Sequence, residues 1–326
     1  MAKYFLGVDA GGTKTHALIA DETGQALGFG ADGAGNYQTV GFDGQQRVFK
    51  EVTHQALTMA GLRLDNISAA GFGLGGYDWP SQHQAHFDSA KSIGLTCPIE
   101  LANDAVIGLL AGSTRGWGVS VIAGTSNNCR GRDKNGREGR ITGEGIRFGE
   151  YGGAGELVAK AIQEISYEWT QRGPHTLLTK MFLVLTHAKD LDDLIEGIDL
   201  DRYQPNASWA LTVFQAGYSG DPVAREVIAW SARELGESAC AVIRQLNLQD
   251  EDVEIIEVGS LFEGGTLFTE PLMETIRAVA PKSQFIRLNV PPVVGGVMLA
   301  MQRAGIDITS VRTKLIDTTR AIINQQ

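Results

Sequence analysis

The chain has 326 residues, 43% hydrophobic and 20% charged, the balance of an ordinary globular protein and enough length for two cores. Its 28 Lys and Arg against 38 Asp and Glu leave a net charge of −10 with no basic run, which argues against nucleic acid or an anionic membrane as partner. No apolar run approaches the ~20 residues of a membrane span, and the scattered Cys97, Cys129 and Cys240 make neither a zinc pattern nor a disulfide framework. Met1-Ala2-Lys3 leads straight into a strand without a signal-peptide pattern, so a reducing cytoplasm is the expected compartment.

Apolar residues 4–8 and 17–20 read as two strands of a hairpin, with Gly11 and Gly12 at the turn. Adjacent glycines let the backbone turn tightly and let an anion approach the amides. Thr13 and Lys14 add a hydroxyl and a cation, and Asp9 ends the first strand where it could hold a metal ion or its waters. Phosphate with a metal fits these groups; a plain glycine hairpin is the alternative. A turn at 21–24 leads to a third strand, 25–30, and a glycine loop ending at Asn36. A helix is expected from about Gly44 to Gly61, with Val48, Val52, Ala56 and Met59 on one face. Strand 67–74 ends in a glycine run, a helix starts near Pro80 and stops at Gly94, and strand 98–102 leads to Asn103-Asp104 and a brief helix to Gly112. The order is βββαβαβα.

Shifted by 112 positions, the opening pattern returns. Residues 119–123 are apolar and Gly124-Thr125-Ser126-Asn127 follow; Gly12 falls on Gly124, Thr13 on Thr125, Asp21 on Asp133 and Gly24 on Gly136. Two such units in register point to a duplicated fold whose facing loops would grip one nucleotide. After a third strand near 139–142 a helical block intervenes, with parts at 155–169, 176–186 and 190–197. Asp221-Pro222 caps a long helix burying Ile228 through Leu246. Strand 253–258, a helix at 271–279, strand 285–288, a helix from about Gly295 and a final amphipathic helix, 310–324, complete the chain. The last is expected to pack back on the first half.

Asp104 sits where a strand meets a helix N-terminus, the end of an open α/β sheet at which ligands bind. A carboxylate there can take the proton of a hydroxyl attacking phosphorus; the alternative is a simple helix cap. Asn36, Asp78, Glu144 and Glu150 lie on glycine-rich loops with the donors and acceptors that sugar hydroxyls need, though each could be only a turn residue. Gly259-Ser260 follows a strand and could let an adenine ring lie against the backbone, and Gly295-Gly296 offers a further close backbone approach. His83 and His86 are three apart without a third metal ligand nearby, which favours a solvated helix face. No Walker A, H-E-x-x-H or G-x-S-x-G pattern occurs.

D-A-G-G-T-K-T at 9–15, N-D-A at 103–105, G-T-S-N-N-C at 124–129 and V-G-S-L at 258–261 resemble the sugar kinase/actin/Hsp70 superfamily, and within it the N-acetylglucosamine kinase group of the BadF/BadG/BcrA/BcrD ATPase family. The resemblance implies an α/β fold of two RNase-H-like (actin-like ATPase) domains, each opening βββ then αβαβα, around a central cleft, with a helical insertion in the second. The expected divisions are 1–114, 115–305 and a C-terminal helix at 306–326. It implies ATP and Mg2+ as cofactors, a homodimer, and ATP-dependent phosphorylation of an amino sugar, first N-acetyl-D-glucosamine at its 6-hydroxyl. Glucosamine, N-acetylmuramic acid and N-acetylmannosamine stay open.

Family roles then fall on matching positions. Asp104 matches the catalytic base; Gly11, Gly12, Thr13 and Lys14 the first phosphate loop, with Asp9 near magnesium through water; Gly124, Thr125, Ser126 and Asn127 the second. Asn36, Gly75, Gly76, Asp78, Asn103, Asp104, Gly145 and Glu150 match sugar contacts, and Gly259 with Ser260 the adenosine motif. The chain departs from the group where it reads Gly149-Glu150-Tyr151-Gly152-Gly153 in place of G-D-E-G-S, and Glu144 in place of a tryptophan. The family's iron–sulfur activators are the alternative of another class, which only three dispersed cysteines disfavour. A sugar-responsive regulator is a third, without a helix-turn-helix ahead of Tyr4.

Overall fold

Near-continuous apolar runs make strands that are covered on both faces, and the first sheet is built from them. β1 (Tyr4–Ala10), β2 (Thr15–Asp21) and β3 (Ala26–Asp32) form an antiparallel meander; α1 (Tyr37–Ala60), β4 (Ile67–Leu74), α2 (His83–Lys91), β5 (Ile99–Asn103) and α3 (Asp104–Gly112) follow. The structure is a computed structural model and describes residues 2–324. The sheet order is β3-β2-β1-β4-β5, with β4 and β5 parallel to β1.

The second sheet repeats this plan. β6 (Gly118–Ala123), β7 (Asn127–Arg132) and β8 (Glu138–Arg140) form the second meander. Then comes a helical block: α4 (Ala154–Trp169), α5 (Leu177–Thr186), α6 (Leu191–Asp199), α7 (Ala210–Tyr218) and α8 (Pro222–Leu246). β9 (Glu254–Val258), α9 (Thr266–Val279) and β10 (Gln284–Arg287) return to the sheet, whose order is β10-β9-β6-β7-β8. β9 and β10 run parallel to β6, as β4 and β5 do to β1. This is the two-lobed RNase-H-like arrangement with an insertion in the second lobe.

The repeat extends to single hydrogen bonds. Asp21 Oδ1 accepts from the amides of Thr23 and Gln25, and the Gly24 amide donates to Asp21 O. Asp133 does the same with Asn135, Arg137 and Gly136. Gly24 and Gly136 both have φ of +81°, the left-handed region that glycine enters without a Cβ penalty.

α10 (Val293–Arg303) lies across β1 and β4 and against α3, and α11 (Ile308–Ile323) packs on β3. Gly295-Gly296 therefore makes its close approach to protein, not to a ligand. A Cβ on Gly295 would collide with the carbonyl of Ile107 in α3, and one on Gly7 would meet the backbone between Gly296 and Val297. The expected division at residue 305 puts α10 with the second lobe, whereas its packing is with the first. We expect Gly295→Ala to cost about 3 kcal/mol or more, the upper end for overpacking, because the obstacle is backbone. Denaturant unfolding of that variant checks it.

Three elements differ from the periodicity reading, one of them α9, which begins at Thr266 rather than at Pro271 and carries that proline within it. α1 begins at Tyr37, earlier than the expected Gly44, because Asn36 caps it: its Oδ1 accepts from the Gln38 amide at 2.9 Å. Gly41, at φ +68°, interrupts the helix and hides that start. α7 was not anticipated.

Candidate active site

The floor of the cleft is built where strands end. Asp9, near the end of β1, pairs in register with Gly73 of β4. Asp104 is the first residue of α3. Its plain alternative, helix capping, is filled by its neighbour: Asn103 Oδ1 accepts from the Ala105 amide at 3.0 Å. Both carboxylates reach the cleft but are deeply surrounded by protein. Burial, then the charge of Asp104, raises Asp9 to about 7 against the opposing pull of Lys14. Burial, then Asp78, raises Asp104 to about 6.

Glycines leave the space around Asp104. A Cβ on Gly75 would stand 3.2 Å from both Asp104 Oδ2 and Asn36 Nδ2, and one on Gly76 would stand 2.9 Å from Asn36 Oδ1. Asn36, Gly75, Gly76 and Asp104 are thus one cluster, joined by Asn103 and Asp78 through the Asn103 Nδ2–Asp78 Oδ1 bond of 3.2 Å.

The opposite wall comes from the second lobe and was not read from the sequence. Asn128, Arg130 and Arg132 alternate along β7, so they share a face, and that face meets the first lobe. Asn128 Nδ2 donates to Asn103 Oδ1 at 3.3 Å, Arg130 Nη2 to Asp78 Oδ1 at 2.6 Å, and Arg132 Nη1 to Gln302 of α10 at 3.1 Å. The Arg130–Asp78 pair is 6% exposed on either side chain. Arg140 covers it, donating to Asp78 O with its guanidinium 4.6 Å from the centroid of Trp79. The signal was present as period-2 polarity in N-N-C-R-G-R.

Several expected sugar contacts already have partners within the protein. Glu150 accepts from the amides of Thr142, Gly143 and Glu144 at 2.6, 2.9 and 3.2 Å and from Thr142 Oγ1 at 2.9 Å, so its carboxylate shapes the 142–144 loop. A Cβ on Gly145, which is at φ +67°, would stand 3.5 Å from Glu156 Oε1. Asp78 is held by Arg130 and Asn103.

Both hairpin tips are at the carboxyl ends of the central strands β1 and β6. Thr13, Lys14, Thr125 and Ser126 are exposed there, Gly11 and Gly124 are half-buried, and Asn127 is buried. Each tip is braced by the chain that follows its meander: Gly11 O accepts from the amides of Gly35 and Asn36, and Gly124 O from that of Ala154. The amides of the tips are thereby held in place without side-chain bulk, the property an anion site needs.

Gly259 ends β9 at φ +111°, and a Cβ there would run into Ala123 and Gly124 of the second hairpin. Beside it opens a cavity of about 640 Å³ with Ser260, Leu261 and Gly264 on one side and Leu211, Phe214 and Tyr218 of α7 on the other. Spacings of three, four and seven put those three on one helix face, so α7 supplies an apolar wall that the sequence reading did not find. The volume suits a small-molecule site. We expect Gly259→Ala to cost about 1–3 kcal/mol through strain and backbone collision, measurable by thermal unfolding.

Comparison with known proteins bears on the family and the fold. The chain is 29% identical over 300 residues to the N-acetylmuramic acid/N-acetylglucosamine kinase of Clostridium acetobutylicum, across 91% of this chain and 98% of that one. It is 25% identical over 313 residues to the N-acetyl-D-glucosamine kinase of Dictyostelium discoideum, across 91% and 97%. A ROK family glucokinase from Streptomyces griseus, solved with glucose and AMPPNP, superposes with a TM-score of 0.57 at 18% identity, across 92% and 99%. At that identity it speaks for the fold. Residues 6–300 match the BadF/BadG/BcrA/BcrD ATPase family, and the chain belongs to it.

Proposed function

We propose that the protein is an ATP-dependent amino-sugar kinase that phosphorylates N-acetyl-D-glucosamine at its 6-hydroxyl. The observation that carries this is the Asp104 cluster. A carboxylate at a helix N-terminus, freed from capping and raised towards neutrality, stands between the Asn36–Gly76 loops and a wall from the other lobe. Whole-length similarity to two amino-sugar kinases supports the substrate class.

In this reading the sugar occupies the space bounded by Asn36, Gly75, Gly76, Asp78 and Asn103, with Gly145 and Glu150 shaping the facing loop. Gly11, Gly12, Thr13, Lys14 and Gly124, Thr125, Ser126, Asn127 hold the phosphates. Gly259 and Ser260 hold the adenosine, with its base against Leu211, Phe214 and Tyr218. The 6-oxygen attacks the γ-phosphorus in line, the bond from that phosphorus to the β–γ bridging oxygen breaks, and the hydroxyl proton passes to Asp104. Closure of the lobes keeps water from taking the phosphoryl group.

Asp9 suits a magnesium ion. It is a carboxylate pushed up by burial and by a second carboxylate, a negative site that a cation would relieve. Mg2+ takes one or two carboxylates plus waters and phosphates, so one aspartate suffices. Asp9 would hold the ion through water, and the ion would neutralise charge on the phosphates.

A coupled ADP-release assay over a panel of hexoses and hexosamines tests the assignment. Turnover confined to amino sugars supports it, and turnover with none of them rejects it. The pH profile gives a second check. Asp104 must be ionised to accept a proton, so kcat/KM for the sugar should fall about tenfold per pH unit below about 6, where this carboxyl is held. A profile flat from pH 8 to 5 would exclude Asp104 as the base.

A further inference from the structure

The cluster around Asp104 draws on two segments far apart in the chain. Residues 36–38 lead into α1, and residues 75–79 follow β4. They meet at Gly76, where a Cβ would stand 2.9 Å from both Asn36 Oδ1 and Gln38 Oε1. Each is anchored at its first residue to the end of the opening hairpin strand: the Asn36 amide donates to Gly11 O and the Gly75 amide to Ala10 O. Beyond those anchors, among the described residues, no main-chain hydrogen bond joins one segment to the other. Side chains do that work.

Gln82 closes the short turn Pro80–Gln82 ahead of α2. Its Oε1 accepts from the amides of Asp78 and Trp79, both at 2.8 Å, and its Nε2 donates to Tyr37 Oη at 2.8 Å. The bond from Trp79 is an ordinary cap of that turn. The other two reach outside it, to the residue before the cap and to a tyrosine 45 positions away. Aromatic packing backs the same junction. His86, four residues on and so on the same face, lies 4.9 Å from the ring of Tyr37 and 5.2 Å from that of Tyr77, and Tyr37 stacks on Phe42 at 4.9 Å. The expected solvated face therefore holds for His83 alone. His86 is fully buried with both ring nitrogens unpartnered among the described residues. Burial, then the charge of His83, lowers it to about 4, so it packs as a neutral ring.

We propose that Gln82 is a positioning residue for sugar recognition. It holds the two segments at the spacing in which Asn36 Nδ2 and Asp104 Oδ2 stand on either side of Gly75. The proposal rests on the amino-sugar reading above. Loosening that spacing weakens sugar in the ground state and the transition state alike, and the anchors of the first hairpin do not involve Gln82. The signature is a raised KM for sugar with kcat and nucleotide affinity kept.

Steady-state kinetics with N-acetyl-D-glucosamine, and calorimetry of the full chain with that sugar and separately with a non-hydrolysable ATP analogue and Mg2+, test this. Gln82→Met keeps the length and removes all three bonds. It should raise KM and Kd for the sugar about tenfold or more, with kcat and analogue affinity within about threefold. Gln82→Glu should recover most of the loss, because one carboxylate oxygen accepts from both amides and the other from the Tyr37 hydroxyl. Tyr37→Phe leaves the cap of the turn intact, yet should weaken the sugar about threefold or more, and non-additively with Gln82→Met. Gln84→Met, on the exposed side of α2, should change nothing. Unfolding temperature is recorded for every variant. Parallel loss of sugar affinity, analogue affinity and unfolding temperature, indifference to Tyr37→Phe, or no recovery in Gln82→Glu would reduce Gln82 to a turn cap and overturn the proposal alone. A wild-type chain that neither binds nor phosphorylates the sugar rejects the substrate assignment instead, and the proposal with it.

Discussion

Asp104→Asn is expected to lower kcat by about 10²–10⁴ while affinities for nucleotide and sugar stay within a few-fold, the pattern of a lost proton acceptor in an intact site. The same change should stabilise the fold at neutral pH. The folded-state pKa of Asp104, about 6, is above the value of 3.8 for an unfolded chain, so between those limits the folded state holds the extra proton. Stability therefore falls as pH rises through that window, and above it the full penalty of a buried charge is present. A shift of two units corresponds to about 3 kcal/mol at most, and access to cleft water reduces this to about 1–2 kcal/mol. Asn removes the charge and keeps the shape. Thermal unfolding at pH 7.5 should rise by about 2–4 °C per kcal/mol recovered, and the gain should vanish near pH 4. Near-normal turnover in this variant would remove Asp104 from the base position; unchanged stability would mean that its carboxylate is better solvated than its surroundings suggest.

Much of this layout was legible because the repeat was. Gly24 and Gly136, or Asp21 and Asp133, look like ordinary turn residues singly; only their common offset marks a duplicated meander, and the structure repeats even their hydrogen bonds. Asp104 was legible from its place between a strand and a helix, a local property. What stayed hidden depended on contacts between distant segments. Arg130 is an unremarkable strand arginine until the second lobe turns β7 towards Asp78, 52 residues away. α7 carries its apolar residues both towards the core and along the cavity, which blurs its periodicity, and Leu211 and Tyr218 are exposed. α10 reads as the continuation of the second lobe, and only the glycines it shares with β1, β4 and α3 draw it onto the first. Glu150 had the right chemistry for a sugar contact, but four donors from its own loop had the shorter path to it.

Arg130→Ala is expected to impair catalysis far more than folding. Removing one member of a buried ion pair commonly costs about 3–5 kcal/mol, because the remaining charge is stranded. Within a single core that penalty would appear in global unfolding. The Asp78–Arg130 pair instead spans the lobes, with Asp78 on the loop after β4 and Arg130 on β7. Opening the cleft would let water reach Asp78 and relieve the stranded charge, so the cost moves from the folding equilibrium to the closing one. We expect unfolding temperature to drop only slightly while kcat/KM for the sugar falls by about 10²–10³, the same free energy read as a rate at 1.4 kcal/mol per decade. Asp78→Asn in the Arg130→Ala background should recover part of the loss by removing the unpaired carboxylate, and the double-mutant cycle should give a coupling well above that of an exposed pair. Scattering profiles of the two variants give the independent readout, with the single variant more open than the double. If Arg130→Ala instead unfolded the protein cooperatively at much lower temperature with its residual kinetics intact, the pair would be an element of a single rigid core, and the cleft it spans would not be one that opens.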